Sequence, residues 1–342
     1  MAIIGKTMLD LIDYYKSIDS AKNIVPVIEM LTEQNPILSD AIFVECNNGS
    51  THLTTVRTGL PKVTWGRLYK GTPNDKSTRA QVTDSTGFLE GRSMVDARLI
   101  DELSNGNGPA LRLSEASAFL ESIGQEMATK IFYGNDAESP EEFMGLAPRF
   151  NDIGARNGGQ IVDALDFDTD ADKATRTDLT SIWFVTWGDT QCSMLYPKGS
   201  YAGVKREDLG KQTVADEQGN RFEAYEEVFR QHAGLSVRDW RYVVRIANIS
   251  ITDLAAGKVN LYGAMRRAYY QLHNRRVPGG KLVCYMNKDV LEALDQLAHE
   301  KGGDSTMVRL TSSEQQGETI TSYRGIPIRE VDALINAEEK VE

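Results

Sequence analysis

GLPKVTWGRLYKGTPNDKSTRAQVTD, residues 59–84, cannot close over an apolar layer of its own. Threonine, arginine, lysine and glutamine fall on both faces of any strand drawn through it, and Gly59, Pro61, Gly71, Pro73 and Asn74 cut it into short extended pieces. The flanking runs, THLTTVRT before it and GFLEGRSMV after it, have the same character, so residues 51–95 read as one long polar hairpin. A two-stranded ribbon is marginal by itself. Trp65, Leu68 and Tyr69 therefore need an apolar surface supplied from elsewhere, and a neighbouring subunit is one source.

Upstream, Met8, Leu11, Ile12 and Tyr15 are spaced as the apolar face of a short amphipathic helix, and a second apolar segment, Ile24 to Leu31, surrounds Pro26. Neither is long enough to build a core. Downstream, the Asn- and Gly-rich SNGNGP leads into a helix predicted from about Ser114 to Tyr133. Its stripe Ala116, Leu120, Ile123, Met127 and Ile131 advances by helical steps, and Gly134 and Asn135 stop it. The stripe is read as the core face of a rigid spine. Gly124 sits mid-helix at a cost of about 1 kcal/mol relative to alanine, which marks either a bending point or, the preferred reading, a strand approaching the bare backbone. Residues 179–251 read as a sheet, with SIWFVTWGD, QCSMLYP, RFEAYEEVF and DWRYVVRIANISI rich in β-branched and aromatic residues. Helices near Leu261–Asn274 and Lys288–Glu300 flank KLVCYM, and ITSYRGIPIREVDAL reads as a strand closed by Gly325 and Pro327.

The apolar share of 41% is that of a globular protein, and no run approaches the roughly 18 apolar residues of a membrane span. We therefore expect a soluble protein made in the cytoplasm. A net charge of −11 has the wrong sign for a protein whose task is to neutralise phosphates, so contact with DNA should be weak and sequence-independent. Cys46, Cys192 and Cys284 lack CxxC spacing and read as small buried apolar residues. The four histidines, His52, His232, His273 and His299, stand singly. There is no GxSxG, HExxH, Walker loop or dinucleotide fingerprint, and Gly106-Asn107-Gly108 runs into Pro109. Asp166, Asp168, Asp170 and Asp172 alternate, but Ala171 and Thr177 stand where a calcium loop needs glycine and glutamate, so a solvated acidic loop is the expectation. Arg266, Arg267, Tyr269, Tyr270, Arg275 and Arg276 interleave in a way that can hold nucleic acid, though a subunit contact or solvated helix face is the preferred reading. We expect no catalytic residue, cofactor or metal.

The order of these elements resembles the major capsid proteins of tailed double-stranded DNA bacteriophages, which share the Hong Kong 97-like fold. The strings most similar to podovirus-type members are residues 59–84, ESIGQEMATKIFYGN, EEFMGLAPR, GLSVRDWRYVVRIANI, YMNKDVLEALD and YRGIPIREVDAL, and they span nearly the whole chain. The resemblance implies an α+β fold with an N-terminal arm (1–50), an extended β-hairpin loop (51–95), a peripheral domain with a long spine helix (96–178) and a mainly axial domain (179–320). Part of the later sheet and residues 321–342 are left free to return to the peripheral domain. It implies a shell subunit that forms pentamers and hexamers around phage DNA, in the virion after assembly in the host cytoplasm. No long charged helical extension precedes the arm, so a separate scaffolding protein is expected, with a portal protein and, in some shells, a decoration protein as further partners. Intersubunit contact is expected at Met8, Leu11, Ile12 and Tyr15 of the arm and at Trp65, Leu68 and Tyr69 of the hairpin. Arg67, Lys70, Lys76 and Arg79 are expected to pair with acidic groups such as Asp136, Glu138, Glu141 and Glu142. Two rivals are a bacterial nanocompartment shell protein of the same fold and a hydrolase with an unrecognised site.

Overall fold

The computed structural model describes residues 32–103, 107–170, 175–216, 218–300, 310–315 and 318–342. Met8, Leu11, Ile12 and Tyr15 of the arm, and Asp172, lie outside them. Among the described residues the strands are β1 (Phe43–Glu45), β2 (Thr51–Gly59), β3 (Thr78–Asp96), β4 (Ile161–Asp163), β5 (Leu179–Trp187), β6 (Cys192–Tyr196), β7 (Val204–Ala215), β8 (Arg221–Val237), β9 (Val243–Ser250), β10 (Lys281–Met286), β11 (Leu310–Gln315), β12 (Glu318–Tyr323) and β13 (Ile326–Glu330). Among the described residues three helices exceed two turns: α1 (Gly108–Tyr133), α2 (Leu261–Gln271) and α3 (Lys288–Glu300).

Every residue of β5 and β9 is buried, as expected of apolar runs covered on both faces. Strand alternation sorts their side chains into two cores. Trp183, Val185 and Trp187, with Val283 and Tyr285 of β10, meet Met127, Ala128, Ile131 and Phe132 of α1. Ile182 and Phe184, with Cys284 and Met286, meet Leu261, Ala264, Met265 and Ala268 of α2 and Val290 and Leu294 of α3. The sheet is thus the middle of three layers. Its path runs β11-β12-β13-β10-β5-β6-β8-β3-β2, with β9 and β4 branching from β5, β7 from β8 and β1 from β6.

β3 belongs to two structures at once. Thr86–Asp96 pairs antiparallel with Ala224–Gly234 of β8, whose opposite edge carries β7. Thr78–Ser85 pairs instead with β2, and this half leaves the body. The free hairpin therefore ends near Ser85 rather than Val95. The tail of the sheet also differs from the single strand expected: β12 and β13 form a hairpin about Arg324 and Gly325, both in the left-handed region at φ 52° and 80°. Positive φ at both central residues is what a tight two-residue turn requires.

α1 starts at Gly108, six residues before Ser114, with Pro109 in its first turn, where a missing N–H costs nothing. It ends where the backbone N–H of Gly134 bonds Lys130 O at 2.9 Å and that of Gly145 bonds Gly134 O at 2.8 Å. A Cβ on Gly145 would lie 2.7 Å from Lys130 O, so the chain can turn back this tightly only there with glycine. Ala116, Ile123, Met127 and Ile131 are buried as read, but Leu120 is 44% exposed. The first half of α1 rests on the β3–β8 ribbon through Phe119, whose ring stacks on Phe229 at 5.5 Å, and no described residue covers Leu120. Gly124 was read as a strand contact and is not one: a Cβ there would meet only Leu38, at 4.0 Å.

The last residues are sewn into the body. Arg245, buried in β9, donates from Nε to Ser181 Oγ (3.0 Å), from Nη1 to Phe150 O (2.8 Å) and from Nη2 to Glu338 (2.8 Å). Tyr133 at the end of α1 donates to the same carboxylate at 2.5 Å. Burial, then the Glu338 charge, raises the Tyr133 hydroxyl well above its ordinary range, so it stays a donor. Asn248 exchanges two hydrogen bonds with the Val341 backbone, at 2.9 and 3.0 Å.

These placements order three substitutions by urea unfolding of the subunit. Ile131→Ala should cost about 2–5 kcal/mol. Leu120→Ala should cost well under about 1 kcal/mol, and Gly124→Ala should stabilise by up to about 1 kcal/mol because helix propensity gains and nothing clashes. A destabilised Gly124→Ala would show that the backbone there is in tighter contact than the structure has it.

Candidate intersubunit interface

β2 and the first half of β3 form a ribbon that reaches about 30 Å from the body at about 3.3 Å per residue. Its root is polar and buried. His52 and Asp84 face each other in register, and both are buried. Arg149 pairs with Asp84 at 2.9 Å and donates to Leu235 O at 3.0 Å, tying the hairpin to β8. Arg238 approaches His52 Nε2 at 3.1 Å. A guanidinium can only donate, so Nε2 accepts and the imidazole is neutral with its proton on Nδ1. Burial first, then the Arg238 charge, lowers the His52 pKa against the smaller upward pull of Asp84, Asp189 and the Glu45 backbone.

The tip, residues 60–77, is not the strand that KVTWGRLY suggested. It is shaped by a few local bonds: Asp75 accepts from the backbone N–H of Lys62 (2.6 Å) and of Lys76 (2.8 Å), and these hold its carboxyl below the usual range. The Lys70 N–H reaches Arg67 O at 3.2 Å, with Tyr69 in the left-handed region at φ 62°. From this frame Trp65 projects 99% exposed and Leu68 90%, with Leu60, Val63 and Tyr69 beside them. Monomeric proteins rarely display such a contiguous apolar group.

Trp65, Arg67, Leu68, Tyr69, Lys70 and Lys76 thus share the tip, and Arg79 opens β3 just behind it. Among the described residues none of these four cations pairs with a carboxylate. The acidic residues expected to meet them lie at the other end of the hairpin, in the loop after α1. Glu142 is already paired with Lys130 (2.7 Å), Glu138 accepts from Asn135 (2.8 Å), and the Glu141 backbone abuts Gly87 of β3. One chain cannot join its own tip to that loop without folding the ribbon over. Of the acids named, Glu142 is the least available, because Lys130 lies between it and a visitor.

Other motifs have internal partners. Asp166 pairs with Arg267 (3.1 Å) while staying 61% exposed, and Asp170, largely buried, pairs with Arg176 (3.0 Å) and Lys258 (2.5 Å), so the described part of the acidic tract is partly neutralised by its own chain. All three cysteines are buried, and burial pushes the Cys192 thiol up to about 12, where it is inert. The root quartet His52, Asp84, Arg149 and Arg238 was missed from sequence. Its members come from four separate segments with no spacing signal.

A family model described as major capsid protein GP7 matches residues 19–342. A chain in the structure of bacteriophage Epsilon15 is 37% identical, with 100% of this chain and 99% of that chain covered and a TM-score of 0.74. The SrpI encapsulin of Synechococcus elongatus PCC 7942 is 10% identical over 72% of this chain and 97% of its own, with a TM-score of 0.46. The capsid of a native GTA particle gives 10%, 72% and 97%, with a TM-score of 0.45. No curated protein matches the sequence.

The root has a predicted pH response. A histidine with a lowered folded pKa takes up its proton more readily when unfolded, so its contribution is intact above about pH 6.5 and is lost as pH falls below that value. Acidification from about pH 7 to 5 should therefore lower the hydrogen-exchange protection factors of the β2 amides, taken against the intrinsic rate at each pH, and His52→Gln should flatten that response. Equal pH responses in the two proteins would mean that His52 does not titrate at the root.

Proposed function

The chain belongs to the family of the major capsid protein GP7, and from that premise we propose how its parts build a shell. It is a structural, homo-oligomeric capsid subunit of the virion with the Hong Kong 97-like fold, not an enzyme, and the family selects a tailed-phage shell over a nanocompartment.

In our reading residues 1–50 are the arm, the β2–β3 hairpin is the extended loop, α1 is the spine of the peripheral domain, and the β5–β9–β10 sheet with α2 and α3 is the axial domain. The axial domains gather around five-fold and six-fold axes, so that chemically identical chains form pentamers and hexamers around double-stranded DNA. A scaffolding protein shapes the precursor in the host cytoplasm, a portal protein occupies one vertex, and a decoration protein is a further partner. The arm face of Met8, Leu11, Ile12 and Tyr15 and the hairpin tip lie against adjacent copies. Such contacts are heterologous, joining two different patches of the same chain, and the rotation between copies decides whether rings close.

The observation that carries this reading is the exposed tip, held about 30 Å from the body on a ribbon with no apolar face. Burying Trp65, Leu68 and Tyr69 on a neighbour contributes about 1.5–3 kcal/mol for each fully covered side chain, repeated at every subunit. Arg67, Lys70, Lys76 and Arg79 then meet the neighbour's acidic loop at Asp136, Glu138 and Glu141. Exposed pairs are individually weak, so they orient the tip more than they hold it.

Replacing Trp65–Thr78 by a short turn should leave a soluble subunit with an unchanged unfolding midpoint, because the core touches none of these residues. Electron microscopy and sedimentation should then find capsomers or monomers but no shells. Normal particles from this deletion would remove the hairpin tip from assembly.

A further inference from the structure

The exposed end of α2, the loop after it and the β12–β13 turn bring Arg275 and Arg324 together with three tyrosines, with Arg266 near them and the exposed Arg276 next in the chain. Arg275 lies over the rings of Tyr269 and Tyr270 at 4.7 and 4.8 Å, and Arg324 lies over the same two rings at 5.1 and 5.5 Å and over Tyr323 at 5.6 Å. Tyr269 and Tyr270 meet edge to face at 5.4 Å. Arg266 is close enough to act on the Tyr323 hydroxyl, and Arg276 follows directly in the chain. Among the described residues none of Arg266, Arg275, Arg276 and Arg324 is paired with a carboxylate. Elsewhere many arginines are paired, such as Arg112 and Arg206 with Glu227, Arg149 with Asp84, Arg176 with Asp253, Arg245 with Glu338 and Arg267 with Asp166, although Arg57, Arg92, Arg156 and Arg221 are not among the ion pairs of the described residues. Arg324 also occupies a left-handed turn position, at φ 52°, that glycine or asparagine would fill with less strain. In a chain with 49 acidic and 38 basic residues, such a group lacks a counter-charge among the described residues.

We propose that this surface contacts the phosphodiester backbone of nucleic acid without regard to sequence, through the guanidinium groups of Arg266, Arg276 and Arg324. The proposal rests on the reading of the shell as a container for DNA. Charge favours phosphate over the surface of a second copy. Tyr270 keeps 62% of its surface exposed, but the guanidinium groups around it have no carboxylate among the described residues, and guanidinium forks match phosphate oxygens. Arg275 is the positioning member, because its Nε and Nη2 donate to Tyr269 O (2.7 Å) and Tyr270 O (3.3 Å).

The test uses the unassembled full-length subunit and a fluorescent duplex of arbitrary sequence, with affinity measured by anisotropy across low to physiological salt. Each phosphate neutralised contributes about 0.9 to the slope of log K against log salt. The triple variant Arg266→Gln/Arg276→Gln/Arg324→Asn should flatten the slope by about 2–3 and weaken low-salt binding at least about tenfold, with shells still forming. Asparagine suits the left-handed turn. If the triple variant does not fold, Arg266→Gln/Arg276→Gln keeps the stacked turn and should show about two-thirds of the change in slope. An unchanged slope overturns the proposal. So does a loss of slope confined to Lys70→Gln/Lys76→Gln, which would place DNA on the hairpin. Folded variants that make no shells would reassign the surface to a contact between copies. A wild-type chain that makes no shells even when co-expressed with its scaffolding protein would defeat the shell-building reading, while the slope would still decide the phosphate contact.

Discussion

A sheet with apolar side chains on both faces must be covered twice, and this constraint organises the subunit. β5, β9 and β10 are such strands, so α1 is required on one face and α2 with α3 on the other. Both helical layers are then consumed inside the chain. Among the described residues no helical layer covers the β2–β3 ribbon, whose faces are largely polar. The ribbon is kept straight by its own ladder and delivers Trp65, Leu68 and Tyr69 to a distance where a second body has to complete them. A stable core and an incomplete surface are two results of the same distribution of apolar residues.

The body that carries the ribbon is stiffened by polar groups at the points where its layers meet. Arg245 is a cation inside the sheet and is tolerable only because Glu338, Ser181 and the Phe150 carbonyl surround it. Removing one partner of such a buried pair costs about 3–5 kcal/mol, since the other is left without water or counter-charge. A second node does the same work nearby: the Tyr285 hydroxyl donates to Asp40 at 3.0 Å and accepts from Trp187 Nε1 at 2.8 Å, and Lys281 pairs with the same carboxylate. Through these nodes the end of α1, the sheet and the C-terminal segment move as one piece. The hairpin is held by a different kind of joint, in which Arg149 and Arg238 act on the buried Asp84 and His52 across the root.

Where burial follows local periodicity, the sequence was readable. β5, β6, β8, β9 and β10, the two later helices and the second half of α1 stand where their apolar patterns placed them. The failures share a cause: each depends on what lies opposite in space. β7, with VKREDLGKQTVA, shows no apolar alternation because it is an edge strand whose charges guard it, so it gave no strand signal. The same holds for the hairpin's end at Ser85, where β8 takes over from β2 as the partner of β3 without any break in the run. Leu120 falls on the correct angular face of α1, but the surface beneath that turn is the narrow β3–β8 ribbon, which Phe119 fills instead. The exposed tip was legible because exposure follows from lacking a partner, a property that the segment shows by itself. The root quartet was not, since four polar residues from four segments become a site only after folding.

Charge pairing separates the two kinds of surface more sharply than apolarity does. With carboxylates in excess, a cation placed at random on this chain would usually find an anion, and most described arginines do. Leaving cations unpaired together costs mutual repulsion, so a folded chain keeps such a group only where something outside supplies the counter-charge. Among the described residues the hairpin tip and the Arg266–Arg324 surface stand apart in this way, and they differ in apolar content. The tip combines its cations with bare Trp65 and Leu68, the composition that a protein surface can bury. The arginine surface stacks its guanidinium groups on its rings and leaves Tyr270 more than half exposed, so charge outweighs apolar area there. One patch therefore suits another copy of the chain, and the other suits a polyanion whose affinity rises and falls with salt.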